Sequence, residues 1–207
     1  MRYAVGIDEV GRGSLAGPVT VAAIAAPASS MRRIADSKKR KANNRLGELR
    51  DSKRLTPLAR ERWFKHLTNH PQVSFAIARV YPRMIERVNI AQAANLAARR
   101  AYNKLTTNNL KLSKHRVFLD GGLYLANKKW QRANSNARTV VRGDEKVRVI
   151  AMASILAKVT RDRAMVRLAR KYPNYGFESH KGYGTKMHLK AVKKHGPSEV
   201  HRATFLS

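Results

Sequence analysis

Acids are scarce in this chain, and their positions carry the first clue. Against 43 lysines and arginines there are only 13 aspartates and glutamates, so a carboxylate beside an apolar run needs a reason. Three such places occur. The run Tyr3 to Ile7 ends in Asp8-Glu9, Arg116 to Leu119 ends in Asp120, and Thr139 to Val141 leads into Gly143-Asp144. Short apolar runs of this kind read as strands, and side chains at strand ends can converge from distant positions onto a rigid frame. Four converging carboxylates repel one another unless cations lie between them, so the set reads as a metal site. In a basic protein the natural substrate is a phosphodiester, with two divalent ions about 3.5–4 Å apart activating water and steadying the leaving oxygen. A plainer reading exists. Asp120-Gly121 is a common turn pair, and Asp144 suits the start of a helix. Asp8-Glu9 resists that reading, because two adjacent acids after a buried strand pack poorly. Pattern alone thus leaves a metal nuclease or phosphotransferase beside a set of turn and cap residues.

Composition narrows the partner and the metal. A formal net charge of +30 points to a polyanion, nucleic acid first and an anionic membrane second. No apolar run approaches the roughly 20 residues of a spanning helix, and acids at positions 8 and 9 come too early for a signal peptide. A cytoplasmic protein that avoids membranes is expected. With no cysteine, thiolate sites are excluded, and the available ligands favour Mg²⁺ or Mn²⁺ over structural zinc.

The elements that must position these acids follow from periodicity. Tyr3 to Ile7 and Val19 to Ala26 read as adjacent antiparallel strands joined by a Gly-rich connection. Ser29 to Arg54 is basic and poor in large apolar residues, an exposed excursion in which Asp36-Ser37-Lys38 echoes Asp51-Ser52-Lys53. Pro57 to Leu67 is helical in composition, with Thr56 as N-cap. Val73 to Tyr81 is a strand and Ala91 to Leu105 an Ala-rich helix. Val149 to Leu168 carries a long helix whose buried stripe comprises Met152, Ile155, Leu156, Val159 and Val166. Lys186 to Lys194 is a short helix. The pattern is an α/β mixed sheet flanked by helices, one domain over 1–207 with a basic excursion near 29–49.

These residues resemble a known family. Ile7-Asp8-Glu9-Val10-Gly11-Arg12-Gly13, continuing Leu15-Ala16-Gly17-Pro18-Val19, closely resembles the opening motif of bacterial ribonuclease HII. Asp51-Ser52-Lys53-Arg54-Leu55, Leu119-Asp120-Gly121 and Gly143-Asp144 follow in order. So do Ala153 to Asp162, Tyr175-Gly176-Phe177, His180 to Thr185, His195-Gly196-Pro197 and His201-Arg202. The resemblance spans almost the whole chain. It implies a ribonuclease H-like mixed sheet with a small helical C-terminal part from about 172, and a catalytic, metal-holding quartet of Asp8, Glu9, Asp120 and Asp144. It implies hydrolysis on the 5′ side of a ribonucleotide, in RNA–DNA hybrids and at single ribonucleotides in duplex DNA, leaving 3′-hydroxyl and 5′-phosphate ends. Two Mg²⁺ or Mn²⁺ ions are expected with substrate, and the protein is expected to be a monomer.

Telling one ribose from many deoxyriboses means sensing a 2′-hydroxyl. Gly11-Arg12-Gly13 suits that task, since small residues let backbone approach a sugar. In the family this loop contacts the hydroxyl, and the tyrosine matching Tyr183 stacks on the adjacent deoxyribose. Lys53 matches a lysine that meets the substrate backbone. The plain readings are a tight turn for Gly11 and Gly13, an exposed loop aromatic for Tyr183 and a solvated surface lysine for Lys53. Lys158 and Asp162 are spaced for a helical salt bridge. Arg161 and Arg163 have structural or phosphate-facing roles, and the histidines 180, 188, 195 and 201 contact phosphate or pack locally. Two other readings compete. A non-catalytic basic module would place its cations on a face without an acid cluster. The sister type 3 ribonuclease shares the fold but usually carries a further N-terminal domain and a different loop after the first acids.

Overall fold

The structure, a computed structural model, describes residues 2–35, 46, 49, 52, 55–107, 115–126 and 136–206. Strands β1 (Tyr3–Val10), β2 (Val19–Pro27), β3 (Ser74–Val80), β4 (His115–Asp120) and β5 (Ala137–Val140) form one mixed sheet in the order β3-β2-β1-β4-β5. β1 pairs antiparallel with β2 and parallel with β4, so the expected first hairpin and mixed sheet are both present. β1 runs through the two acids to Val10 rather than ending before them.

Period-two alternation in β2 feeds two cores. Val19, Val21, Ala23 and Ala25 pack with the alanines 93, 94, 97, 98 and 101 of helix α3 (Pro82–Thr107). Ala22, Ile24 and Ala26 face the other way, against helix α2 (Pro57–Thr68) and the long helix α5 (Arg148–Lys171). Two-sided burial explains why β1 and β2 read as continuous apolar runs. The Ala-rich face of α3 contributes little side-chain bulk, which suits close packing on the sheet. At Gly6 a side chain would overlap the Val149 carbonyl, so the start of α5 lies directly on β1.

Local signals account for most boundaries. Thr56 accepts from the Ala59 N–H at 3.2 Å and Pro57 opens α2, the expected capped start. α3 begins earlier than its Ala-rich segment suggests. Asn89 leaves helical geometry (φ 62°) and its Oδ1 accepts from Gln92 N–H at 3.0 Å, capping the second piece, the one that composition locates. Two expectations are corrected. Val166 is 37% exposed while Met152, Ile155, Leu156 and Val159 are buried, because the last turns of α5 are covered on their Met165 and Ala169 side, and Val166 faces the open space beside Arg163 and Arg167. Most of the stretch 29–54, read largely as an exposed excursion, lies outside the described residues; among those described, Ile34 on helix α1 (Met31–Ala35), Leu46 and Ser52 are buried against the α5 core, so these parts pack rather than stand clear.

Candidate active site

Strand register decides which acids meet. Ile7 pairs with Leu119, and one further step along these parallel strands brings Asp8 level with Asp120. Asp8, Glu9 and Asp120 each offer a carboxylate oxygen, all within 4.8 Å of one another. Asp8 is buried, and the other two are half-buried.

Each carboxylate is held in place. The Glu9 N–H donates to Asp8 Oδ1 at 2.8 Å, Arg12 Nη1 donates to Glu9 Oε1 at 3.1 Å, and the Gly143 N–H donates to Asp120 Oδ1 at 2.6 Å. The Ser154 hydroxyl on α5 lies beside the Asp8 side chain and favours its ionised form. Glu9 Oε2 is buried and has no hydrogen-bond partner among the described residues. An acceptor stranded in this way is costly, and a set of hard carboxylate oxygens around it fits a hard divalent cation.

Electrostatics agrees. Burial pushes the Asp8 carboxyl well above the ordinary carboxylate range, and repulsion from Glu9 and Asp120 adds to it, partly offset by the Ser154 and Glu9 donors. Burial raises Glu9 too, with the Arg12 guanidinium opposing and Asp120 adding to the rise. A cation among the three would favour the ionised forms.

Asp144 sits differently. β5 stops at Val140, Arg142 takes a left-handed conformation (φ 54°), and the chain enters the short helix α4 (Gly143–Lys146). Asp144 is buried there, one residue beyond the Gly143 that binds Asp120, and lies outside the group of three. Glu145 beside it is exposed.

The glycine loop is shaped from beneath. Gly11 has φ 89°, and a side chain there would overlap the Arg161 guanidinium, so packing alone demands glycine. At Gly13 a side chain would meet open space. Arg12 reaches from Glu9 to the turn at Gly122, where an added Cβ would come within 3.3 Å of its Nη1. Tyr183 is half-buried and forms an isolated bridge with Ser14, which places it beside this loop. Lys53 lies outside the described residues; its neighbour Ser52 is buried, with Oγ 2.8 Å from Ser154 Oγ.

Two residues that sequence reasoning undervalues hold this loop. Arg161 and Arg202 are fully buried and have no carboxylate partner among the described residues. Arg161 donates to the carbonyls of Pro18, Ala16 and Lys181 and to Ser14 Oγ, at 2.7–3.1 Å. Arg202 donates to the carbonyls of Gly11, Arg12 and Gly17, at 2.7–3.2 Å. The motifs containing them are visible, but charge ordinarily signals exposure. Histidines 180, 188 and 201 pack together: His188 Nε2 is 3.0 Å from His201 Nε2, and the His180 ring stacks on His188 at 4.3 Å. Lys158 and Asp162 form the expected pair at 2.9 Å.

Comparison with known proteins agrees with this geometry. The fold is that of the ribonuclease H enzymes: the crystal structure of ribonuclease H2 from Pyrococcus horikoshii OT3 superposes with a TM-score of 0.74 at 23% identity, over 98% of this chain and 93% of that one. Bst-RNase HIII, solved in complex with Mn²⁺, gives 0.69 at 20% identity, over 94% of this chain but only 63% of its own. Ribonuclease HII from Caldicellulosiruptor bescii is 40% identical over 205 residues, 99% of this chain and 87% of that one. The family model for ribonuclease HII matches residues 5–207. The chain belongs to the ribonuclease HII family, and so is a hydrolase of the type 2 ribonuclease H class.

Proposed function

We propose that this enzyme hydrolyses the RNA strand of RNA–DNA hybrids and nicks on the 5′ side of single ribonucleotides in duplex DNA, leaving 3′-hydroxyl and 5′-phosphate ends. One observation carries the metal-dependent chemistry: Glu9, whose Oε2 is buried without a hydrogen-bond donor among the described residues, brings a carboxylate oxygen within 4.8 Å of those of Asp8 and Asp120. Asp8, Glu9 and Asp120 would hold a divalent cation, Mg²⁺ or Mn²⁺, with Asp144 assigned as a fourth ligand where a second ion binds with substrate. Such ions supply a nucleophilic water and stabilise the leaving oxygen.

The protein's own residues position the rest. Gly143 and Ser154 fix the orientations of Asp120 and Asp8. Arg12 presents a cation at the edge of the cluster, suited to a substrate phosphate. The loop Gly11-Arg12-Gly13 and Tyr183 are assigned to the ribose and the neighbouring deoxyribose, and Lys53 to the backbone. Because buried arginines hold the loop rigid, a 2′-hydroxyl meets a preformed surface. The enzyme is taken to act as a monomer in the cytoplasm. Among the described residues no helix is long and apolar enough to cross a membrane.

The deciding experiment is a nicking assay on duplex DNA with one embedded ribonucleotide, with and without divalent cation. Cleavage 5′ of the ribonucleotide, dependent on the ion and absent in all-DNA duplex, is expected. Asp8→Asn should abolish it while leaving duplex binding largely intact; unchanged turnover would refute the assignment. Cleavage of long hybrids alone would favour a type 3-like specificity, and binding without turnover a non-catalytic module.

A further inference from the structure

Away from the acid cluster, a groove of about 720 Å³ runs between the first turn of α2, the outer face of α5 and the segment around Lys181. Arg60, Lys158, Arg163, Arg167, Arg170 and Lys181 line it. Its carboxylates, Glu61 and Asp162, are already committed. Arg163 grips both oxygens of Glu61 at 2.6 and 3.3 Å, and Lys158 pairs with Asp162 at 2.9 Å. Arg167 and Arg170 are exposed. With Arg163 and Lys158 paired to these acids, four cations of the lining are left uncompensated, Arg60, Arg167, Arg170 and Lys181, a lining built for a run of negative charge.

The groove also starts next to the proposed chemistry. Ser154, whose hydroxyl favours ionised Asp8, lies four residues before Lys158 on α5. Arg60 donates to the Ser52 carbonyl at 2.8 Å, and Ser52 in turn touches Ser154. At 1.5 Å per residue, Arg170 lies roughly 24 Å along the helix from Ser154. With about 3.4 Å per base step, that distance spans about seven base pairs.

We propose that this groove is a second substrate contact, taking the sugar–phosphate backbone of the duplex that flanks the cut, about two to seven base pairs from the scissile bond, with Arg167 and Arg170 at the far end, about six and seven base pairs away. The inference rests on the functional reading above. It gives Arg167 and Arg170 a role in affinity and none in chemistry.

The test compares wild type with the Arg167→Glu/Arg170→Glu double variant, and with Lys193→Glu/Lys194→Glu, which makes the same charge change on the exposed face of the C-terminal helix outside the groove. Each is assayed on a long duplex with one ribonucleotide, and on duplexes trimmed to three base pairs on either side. The groove variant should raise KM on the long duplex about tenfold or more with kcat within twofold. Its salt slope should become shallower by about one to two, at roughly 0.9 for each phosphate no longer neutralised. On one of the two trimmed duplexes the difference from wild type should vanish. Unchanged KM on the long duplex, an equal loss on both trimmed ones, or an equal effect of Lys193→Glu/Lys194→Glu would each overturn the proposal. Fluorescence anisotropy on the same duplexes without divalent cation reads the same interaction as Kd. If wild type cuts nothing, the functional reading falls while this arm still decides the groove.

Discussion

Ser52 Oγ and Ser154 Oγ lie 2.8 Å apart in the interior, 102 residues apart in sequence, and the Ser154 hydroxyl also favours the ionised form of the adjacent Asp8. This hydroxyl pair ties the Asp-Ser-Lys motif to the strand that carries the first two acids. Ser154→Ala would leave the Ser52 hydroxyl short of a partner and remove a donor that favours ionised Asp8. A loss of about 1–2 kcal/mol is expected, a fall of several degrees in Tm for a chain of this size. The concentration of Mn²⁺ for half-maximal activity should rise as well. A metal titration and a melting curve check both; a variant unchanged in each would show that the pair is incidental.

The raised carboxyls set a pH dependence with a definite sign. Asp8 and Glu9 hold protons more tightly in the fold than in the unfolded chain. The contribution of these two carboxyls to the stability of the metal-free protein should therefore be greatest below the ordinary carboxylate range, and should be lost as pH climbs through the raised values. A divalent cation, binding the ionised forms, should return that stability at high pH. Asp8→Asn removes the most buried of the charges. Without metal it should melt above wild type at pH 8, and it should gain little from added Mn²⁺. Calorimetry at several pH values, with and without the ion, measures this directly. Equal metal-induced shifts in the two proteins would count against Asp8 as a ligand.

Asp120 depends on its neighbour in another way. The Gly143 N–H donates to Asp120 Oδ1 at 2.6 Å, and a methyl at Gly143 would overlap Ile150 Cδ1 and sit 3.2 Å from that same oxygen. Gly143→Ala should displace the carboxylate and crowd the start of α5, costing about 1–3 kcal/mol. A drop in kcat of tenfold or more is expected, with a folded circular-dichroism spectrum retained. Activity within twofold of wild type would mean that Asp120 has room to move without consequence.

Where the sequence is readable, a single rule governs each residue. The acids after β1 and β4 stand out because charge beside a buried run is anomalous, and parallel register then brings Asp8 and Asp120 together. Asp144 belongs to a strand end by pattern, but nothing local announces the left-handed Arg142 that turns the chain into α4. Val166 follows the helical period correctly, yet period cannot reveal that the cover moves to the Met165 and Ala169 side of the last turns. Arg161 and Arg202 are illegible for a deeper reason. Their partners are backbone carbonyls of residues 11–18 and of Lys181, which every sequence possesses and no sequence displays. Gly11 reads as leaving room for a sugar, and the sequence does not display the second demand for glycine there, the Arg161 guanidinium packed where a side chain would stand.

The histidine cluster gives a prediction at the acid end. His201 Nδ1 accepts from the Ser198 N–H at 3.0 Å, so its proton sits on Nε2 and points at His188 Nε2. His188 then carries its own proton on Nδ1 and donates to the Tyr183 carbonyl at 3.0 Å. Both rings are neutral in this chain of bonds, and a further proton would set two N–H groups against each other. Burial pulls His188 down to about 4 and lowers His201 as well. A depressed histidine stabilises the fold above its unfolded value near 6.5, and that contribution drains away as pH falls through the folded value. The histidines' own contribution to stability should therefore decline between pH 6.5 and 4, with proton uptake by these rings on unfolding and a loss on the order of 2 kcal/mol, opposite in sign to the Asp8 and Glu9 contribution. His201→Phe should lower Tm at pH 7.5 by stranding His188 and Ser198, and should flatten the decline below pH 6.5. Because the chain of bonds ends on the Tyr183 carbonyl, the same variant should raise KM for a ribonucleotide-containing duplex more than it lowers kcat. A Tm that falls as steeply in His201→Phe as in wild type would place the acid-sensitive groups elsewhere.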